Sequence, residues 1–115
     1  MLRLVAYVFA LGVLFASAAS AQDAATNGEA TRGEKVFADQ KCTVCHSIAG
    51  KGNVKGSLDE VGSKLSADEI RGWITDAKGM ATKTGAARKP PMKMFTLQKD
   101  DVDALVAYLQ TLRKK

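Results

Sequence analysis

Residues 41–50 read KCTVCHSIAG and hold both cysteines and the only histidine of a 115-residue chain. Their gathering into Cys42-Thr43-Val44-Cys45-His46 constrains the fold more than any other feature. Each chemistry open to these side chains makes its own demand on the surrounding chain. A closed structural zinc site takes four ligands, as a rule Cys and His. The chain offers three, and a carboxylate as the fourth is an uncommon arrangement. A thioredoxin-like redox pair sits where a strand runs into a helix of a βαβ unit. No segment here alternates convincingly as a strand. A disulfide across two residues closes a very short loop and adds little stability.

The fourth meaning of C-x-x-C-H is covalent attachment of haem. Two sulfurs at this spacing reach the two vinyl groups on one edge of a porphyrin. The next residue, His46, is carried under the ring with its Nε2 available to the iron. One short segment fixes the cofactor, its orientation and its proximal ligand, and no further Cys or His is needed.

The N-terminus supplies the compartment. Arg3 is followed by an apolar run from Leu4 to Phe15 and by small residues ending in Ala19-Ser20-Ala21. This is the three-part pattern of a secretory signal peptide, too short in its apolar run to span a bilayer comfortably. Residues 1–21 are expected to be cleaved and residues 22–115 to form one soluble domain in the periplasm, with no stable membrane insertion. So short a domain has a marginal core unless a staple, metal or cofactor completes it. The formal net charge of +5 leaves basic surface for an anionic partner. Export argues against nucleic acid.

The pattern downstream is helical. After a polar tether, QDAATNGEA, residues 29–39 place Ala30, Gly33 and Phe37 on one helix face. Gly33 inside a helix costs about 1 kcal/mol relative to Ala, which points to a second helix packed close against it. A Gly- and Lys-rich loop follows the Cys/His cluster. Ser66 and Glu69 then form a capping box, and Leu65 and Ile70 a hydrophobic staple. Ile70, Trp73, Ile74 and Ala77 continue the apolar stripe. Residues 78–95 read as a loop stiffened towards its end by Pro90-Pro91. From about Gln98, a poor N-cap, Val102, Leu105, Val106, Leu109 and Leu112 mark a terminal helix. Asp100, Asp101 and Asp103 suit its start, and Arg113, Lys114 and Lys115 its end.

From about Asn27 to the end the chain resembles the small monohaem class I c-type cytochromes of bacteria. The markers come in the family's order: GEKVF before CTVCH, EVGSKLS before the Trp helix, KPPMKMF, and LVAYLQTL in the last helix. The resemblance implies an all-α fold, three to four short helices around one covalent haem c held by Cys42 and Cys45. It implies that the first and last helices cross, with Gly33 and Phe37 meeting Tyr108. Gly56-Ser57-Leu58 stands where the family often has Gly-Pro-x-Leu. This is the region whose backbone carbonyl receives the His Nδ1 proton, so Gly56 or Ser57 is expected to supply it.

A single His excludes bis-histidine ligation from this chain. Met1 leaves with the signal peptide, so Met80, Met92 and Met94 are the candidates for the sixth ligand. A thioether is a soft ligand that raises the reduction potential of haem iron. Met92 follows the stiff Pro90-Pro91, and the family pattern of Met, then an aromatic three residues on, then Leu matches Met92, Phe95 and Leu97. His46 and Met92 are therefore the expected iron ligands. Met94 is expected to pack in the core or at the haem edge. Trp73, Ile74, Phe95, Leu58, Val61 and Leu105 are candidates to wall the haem or fill the core.

A His/Met iron has no open position and suits one-electron transfer between redox proteins, with no catalytic residue and no enzymatic activity. The alternative is a sensor of small ligands, or a peroxidase-like enzyme, with a labile Met. Lys41, Lys89 and Lys93 should surround the exposed haem edge, where they could steer an acidic partner. A monomer is expected.

Overall fold

The computed structural model describes the backbone from Ala19 and the side chains from Thr26 to Lys115. Most of the signal-peptide reading, residues 1–18, lies outside the described residues. The described residues form five α-helices: α1 Ala19–Asp39, α2 Val61–Lys64, α3 Ala67–Thr75, α4 Ala77–Thr84 and α5 Lys99–Gln110. A hairpin of two-residue strands, β1 Ser47–Ile48 and β2 Lys51–Gly52, lies between α1 and α2. No helix among the described residues is long and apolar enough to cross a membrane.

Helix α1 starts ten residues before the Glu29 of the sequence-based reading, so the stretch read as a tether is helical. Ala21, Ala24 and Ala25 are the strongest helix formers and outweigh Asn27 and Gly28. The most extensive contact in the fold is between α1 and α5. A Cβ on Gly33 would collide with the Ala104 carbonyl and lie 2.6 Å from the Tyr108 Cβ. The glycine is thus what lets the two backbones approach. One turn further on, the rings of Phe37 and Tyr108 meet edge-on at 5.9 Å, a geometry that adds about 0.5–1.5 kcal/mol to the burial itself. Val36 and Phe37 pack with Ile70, Ile74, Val102, Leu105, Val106 and Leu109 as the core.

Helix α3 opens as its sequence predicts. The Glu69 amide donates to Ser66 Oγ, and Glu69 Oε1 accepts from the Ser66 amide, both at 3.2 Å. The helix then stops two residues short of the apolar stripe. Asp76 ends it and at the same time caps α4, its Oδ1 accepting from the Gly79 amide at 3.1 Å. Ala77, read as the last residue of the α3 stripe, is instead the buried first residue of α4. Residues 78–84, read as loop, complete this helix, since one aspartate both breaks and restarts the turn.

Helix α5 begins at Lys99 with no side-chain cap from Gln98. It ends at Gln110, before the basic tail. Arg113 still serves the helix end, its Nε donating to the Gln110 carbonyl at 3.1 Å. The tail then clamps α2. The Gly62 amide donates to the Leu112 carbonyl and the Lys114 amide to Ser63 Oγ, each at 2.8 Å. Surface ion pairs add to the helix contacts: Arg32 meets Asp101 at 2.8 Å and Arg71 meets Asp103 at 2.7 Å.

A candidate haem-attachment site

The attachment segment leaves α1 through Lys41, whose φ of 56° is left-handed. Cys42–Val44 form one turn of 3-10 helix, and the amides of Cys45 and His46 both donate to the Cys42 carbonyl. This turn brings Cys42, Cys45 and His46 to the lining of one cavity. The hairpin closes over it. Ala49 and Gly50, both at positive φ, make the reversal. The Asn53 amide then donates to the carbonyls of Thr43 and His46 at 3.1 Å. At Gly52 the backbone passes so close that a Cβ would strike the His46 carbonyl.

His46 is half-buried, and its Nδ1 lies 2.9 Å from the Gly56 carbonyl oxygen. A carbonyl only accepts, so the proton is on Nδ1 and the Nε2 lone pair is free. An outer partner of this kind fixes ring orientation and tautomer for a metal ligand. Burial pulls the imidazole pKa down, and the nearby Arg88 charge pulls the same way. The Gly56 bond opposes them. Burial likewise pushes the Cys42 thiol up, opposed by the Lys93 ammonium. The two cysteines are unpaired. Among the described residues no three His, Cys, Asp or Glu side chains gather in a group that could hold a metal ion.

Cys42, Cys45 and His46 open onto a cavity of about 530 Å³, within the range of cofactor sites. Its floor is Phe37, Ile70, Ile74, Leu105 and Leu109, the inner faces of α1, α3 and α5. Helix α2 brings Val61, the position just after it brings Leu65, and the segment after α4 brings Pro90, Pro91, Met92, Phe95 and Leu97. All six residues named from the sequence as wall or core candidates line it. So does Met92, alone among the three candidate methionines. Met80 packs instead against Gly72, where a Cβ would lie 2.8 Å from its Sδ. Met94 departs from its expected place in the core or at the cavity edge. It is 56% exposed and does not line the cavity. Two positions along an extended segment reverse the facing only for odd steps; residues 86–98 are irregular, and the alternation does not hold there.

Arg88 is the site residue that sequence reasoning missed. It lines the cavity, and its Nη2 donates to the Cys45 carbonyl at 2.6 Å. No periodicity or motif marks it, because its partner is forty-three residues away.

An apolar hollow walled by helices and lined by two cysteines and an oriented imidazole has the size and donor set of a site for a prosthetic group. The family model for Cytochrome c matches residues 30–113, and the chain belongs to that family. In comparisons with curated proteins and with solved structures, nothing matches. The family implies covalently bound haem c and electron transfer through it, and the donor set here fits: Cys42 and Cys45 have the C-x-x-C-H spacing, and His46 presents a free Nε2.

Proposed function

We propose that the chain is an exported monohaem electron carrier of the bacterial class I type, with His46 and Met92 as the axial ligands. The observation that carries this reading is that both side chains line one cavity. His46 has its Nδ1 occupied and its Nε2 free, and Met92 is the one methionine of the three that lines the hollow. The haem, when bound, supplies a one-electron couple at iron. The chain's own residues do the rest. Cys42 and Cys45 anchor the group, the Gly56 carbonyl orients His46, and the aliphatic floor keeps water from the buried face. Nothing is left for a substrate to coordinate, so the reading is of a carrier without enzymatic activity. Cleavage after Ala21, a periplasmic location and a monomeric domain from Gln22 onward belong to the same reading and rest on the leader pattern.

The surface around the cavity fits an acidic redox partner. Residues 40–58 carry Lys41, Lys51 and Lys55 and no carboxylate side chain. Residues 77–98 carry Lys78, Lys83, Arg88, Lys89 and Lys93, again with none. Lys41, Lys89 and Lys93 are exposed, and none pairs with a carboxylate among the described residues. Rim charges of this kind act on the association rate, over a reach of about 8 Å at physiological salt. Triple replacement of Lys41, Lys89 and Lys93 by Glu should therefore slow bimolecular electron transfer to an acidic partner at low salt. The defect should shrink as salt is raised, with the haem spectrum unchanged. Equal rates at low salt would make these lysines a solvated face. A loss independent of salt would mean damage at the cavity.

A further inference from the structure

Residues 86–98 contain neither helix nor strand, yet they carry Met92. An irregular segment keeps its place through packing and through the hydrogen bonds it makes to the rest of the fold; here Leu97 packs against the core at the far end. Among the described residues, positions 87–97 take part in no backbone–backbone hydrogen bond. One side-chain hydrogen bond ties them down, from Arg88 Nη2 to the Cys45 carbonyl at 2.6 Å. The acceptor belongs to the residue immediately before His46. Space for the guanidinium comes from Gly56, where a Cβ would strike both Arg88 Nη1 and the Cys45 carbonyl. The carbonyl of the same Gly56 receives the His46 Nδ1 proton. A single junction thus joins the segment bearing His46 to the segment bearing Met92, four residues beyond Arg88.

We propose that Arg88 is a positioning residue that clasps the Met92 segment to the Cys45 carbonyl and so keeps it closed over the cavity. Met92 is presented to the iron from a segment with no regular structure of its own, and the clasp restricts how often that segment swings away. A guanidinium suits the task. Its fork sends one nitrogen to the carbonyl while the other lies over the bare Gly56, an arrangement that the single ammonium of lysine does not reproduce. The proposal rests on Met92 being the sixth ligand.

The test uses the ferric holoprotein and a saturating concentration of added imidazole, which captures the iron at the rate at which the Met leaves. Arg88→Gln should raise this limiting rate about tenfold, the scale of a lost charge-assisted hydrogen bond. Arg88→Lys should fall between Gln and the wild type. Gly56→Ala puts a methyl where the guanidinium lies and should also speed capture. Combined with Arg88→Gln it should add little more, because both changes open the same junction. An unchanged rate in Arg88→Gln, or fully additive effects in the double variant, overturns the clasp. The near-infrared Met–iron band of the wild type separates the two readings. With the band present and the Arg88→Gln rate unchanged, only the clasp fails. With the band absent, the ligand assignment fails and takes the clasp with it.

Discussion

Replacing Met92 by Ala is expected to abolish the near-infrared Met–iron charge-transfer band and to lower the reduction potential by on the order of 0.1 V. Axial ligands command a span of about 0.8 V in haem proteins, and a thioether lies on its high side because it is soft and favours the reduced iron. Met92 is the methionine on the cavity wall, set there by Pro90 and Pro91 at the same edge. Met80 is turned into the Gly72 contact and Met94 is largely exposed. Met80→Ala and Met94→Ala should accordingly keep both the band and the potential. Absorption spectra and a redox titration of the three variants check this directly. A band that survives Met92→Ala would reassign the ligand. A wild type that loses its Met ligand to small molecules at equilibrium would favour the sensor or peroxidase-like alternative.

The second large effect is on stability. Gly33→Val should cost about 3 kcal/mol, the upper part of the range for overpacking. The obstacle is the Ala104 carbonyl, part of a helix backbone with no rotamer to yield. At about 4–8 °C per kcal/mol for a domain of this size, the melting temperature should fall by roughly 12–24 °C. Gly28 is the control. It lies in the same helix with nothing within 4 Å of an added Cβ, so Gly28→Ala should leave the melting temperature unchanged or raise it slightly. Thermal unfolding of the two holoproteins decides. Equal melting temperatures for Gly33→Val and wild type would mean that α1 and α5 do not meet as described.

What was legible in the sequence was what is local in the chain. C-x-x-C-H, the Ser66–Glu69 capping box and the α5 stripe each fit within a few turns of backbone. Gly33 was legible for a different reason: an unfavourable residue inside a good helix implies a contact that offsets it, and Ala104 and Tyr108 are that contact. Helix α4 was missed because Asp76 serves two helices at once, and an apolar stripe running through it looked continuous. The spacing Asp76–Gly79 did not stand out as a capping pattern. The hairpin escaped because strands of two residues have no period to detect. Met94 was misplaced because adjacency to Phe95 says nothing about facing in an irregular segment. Arg88 had no local signal at all. The Gly56 carbonyl was anticipated as one of two choices, and the structure selects it at 2.9 Å from His46 Nδ1.

The central claim is that Cys42 and Cys45 hold haem covalently, and it is tested most directly by acid-acetone extraction. The protein would be produced in a host that matures c-type cytochromes, denatured, extracted, and its visible spectrum recorded. The haem spectrum should remain with the polypeptide, and Cys42→Ser with Cys45→Ser should release it to the solvent phase. Haem that extracts from the unaltered chain, or a chain that carries none, would contradict the account and return the two cysteines to thiol chemistry.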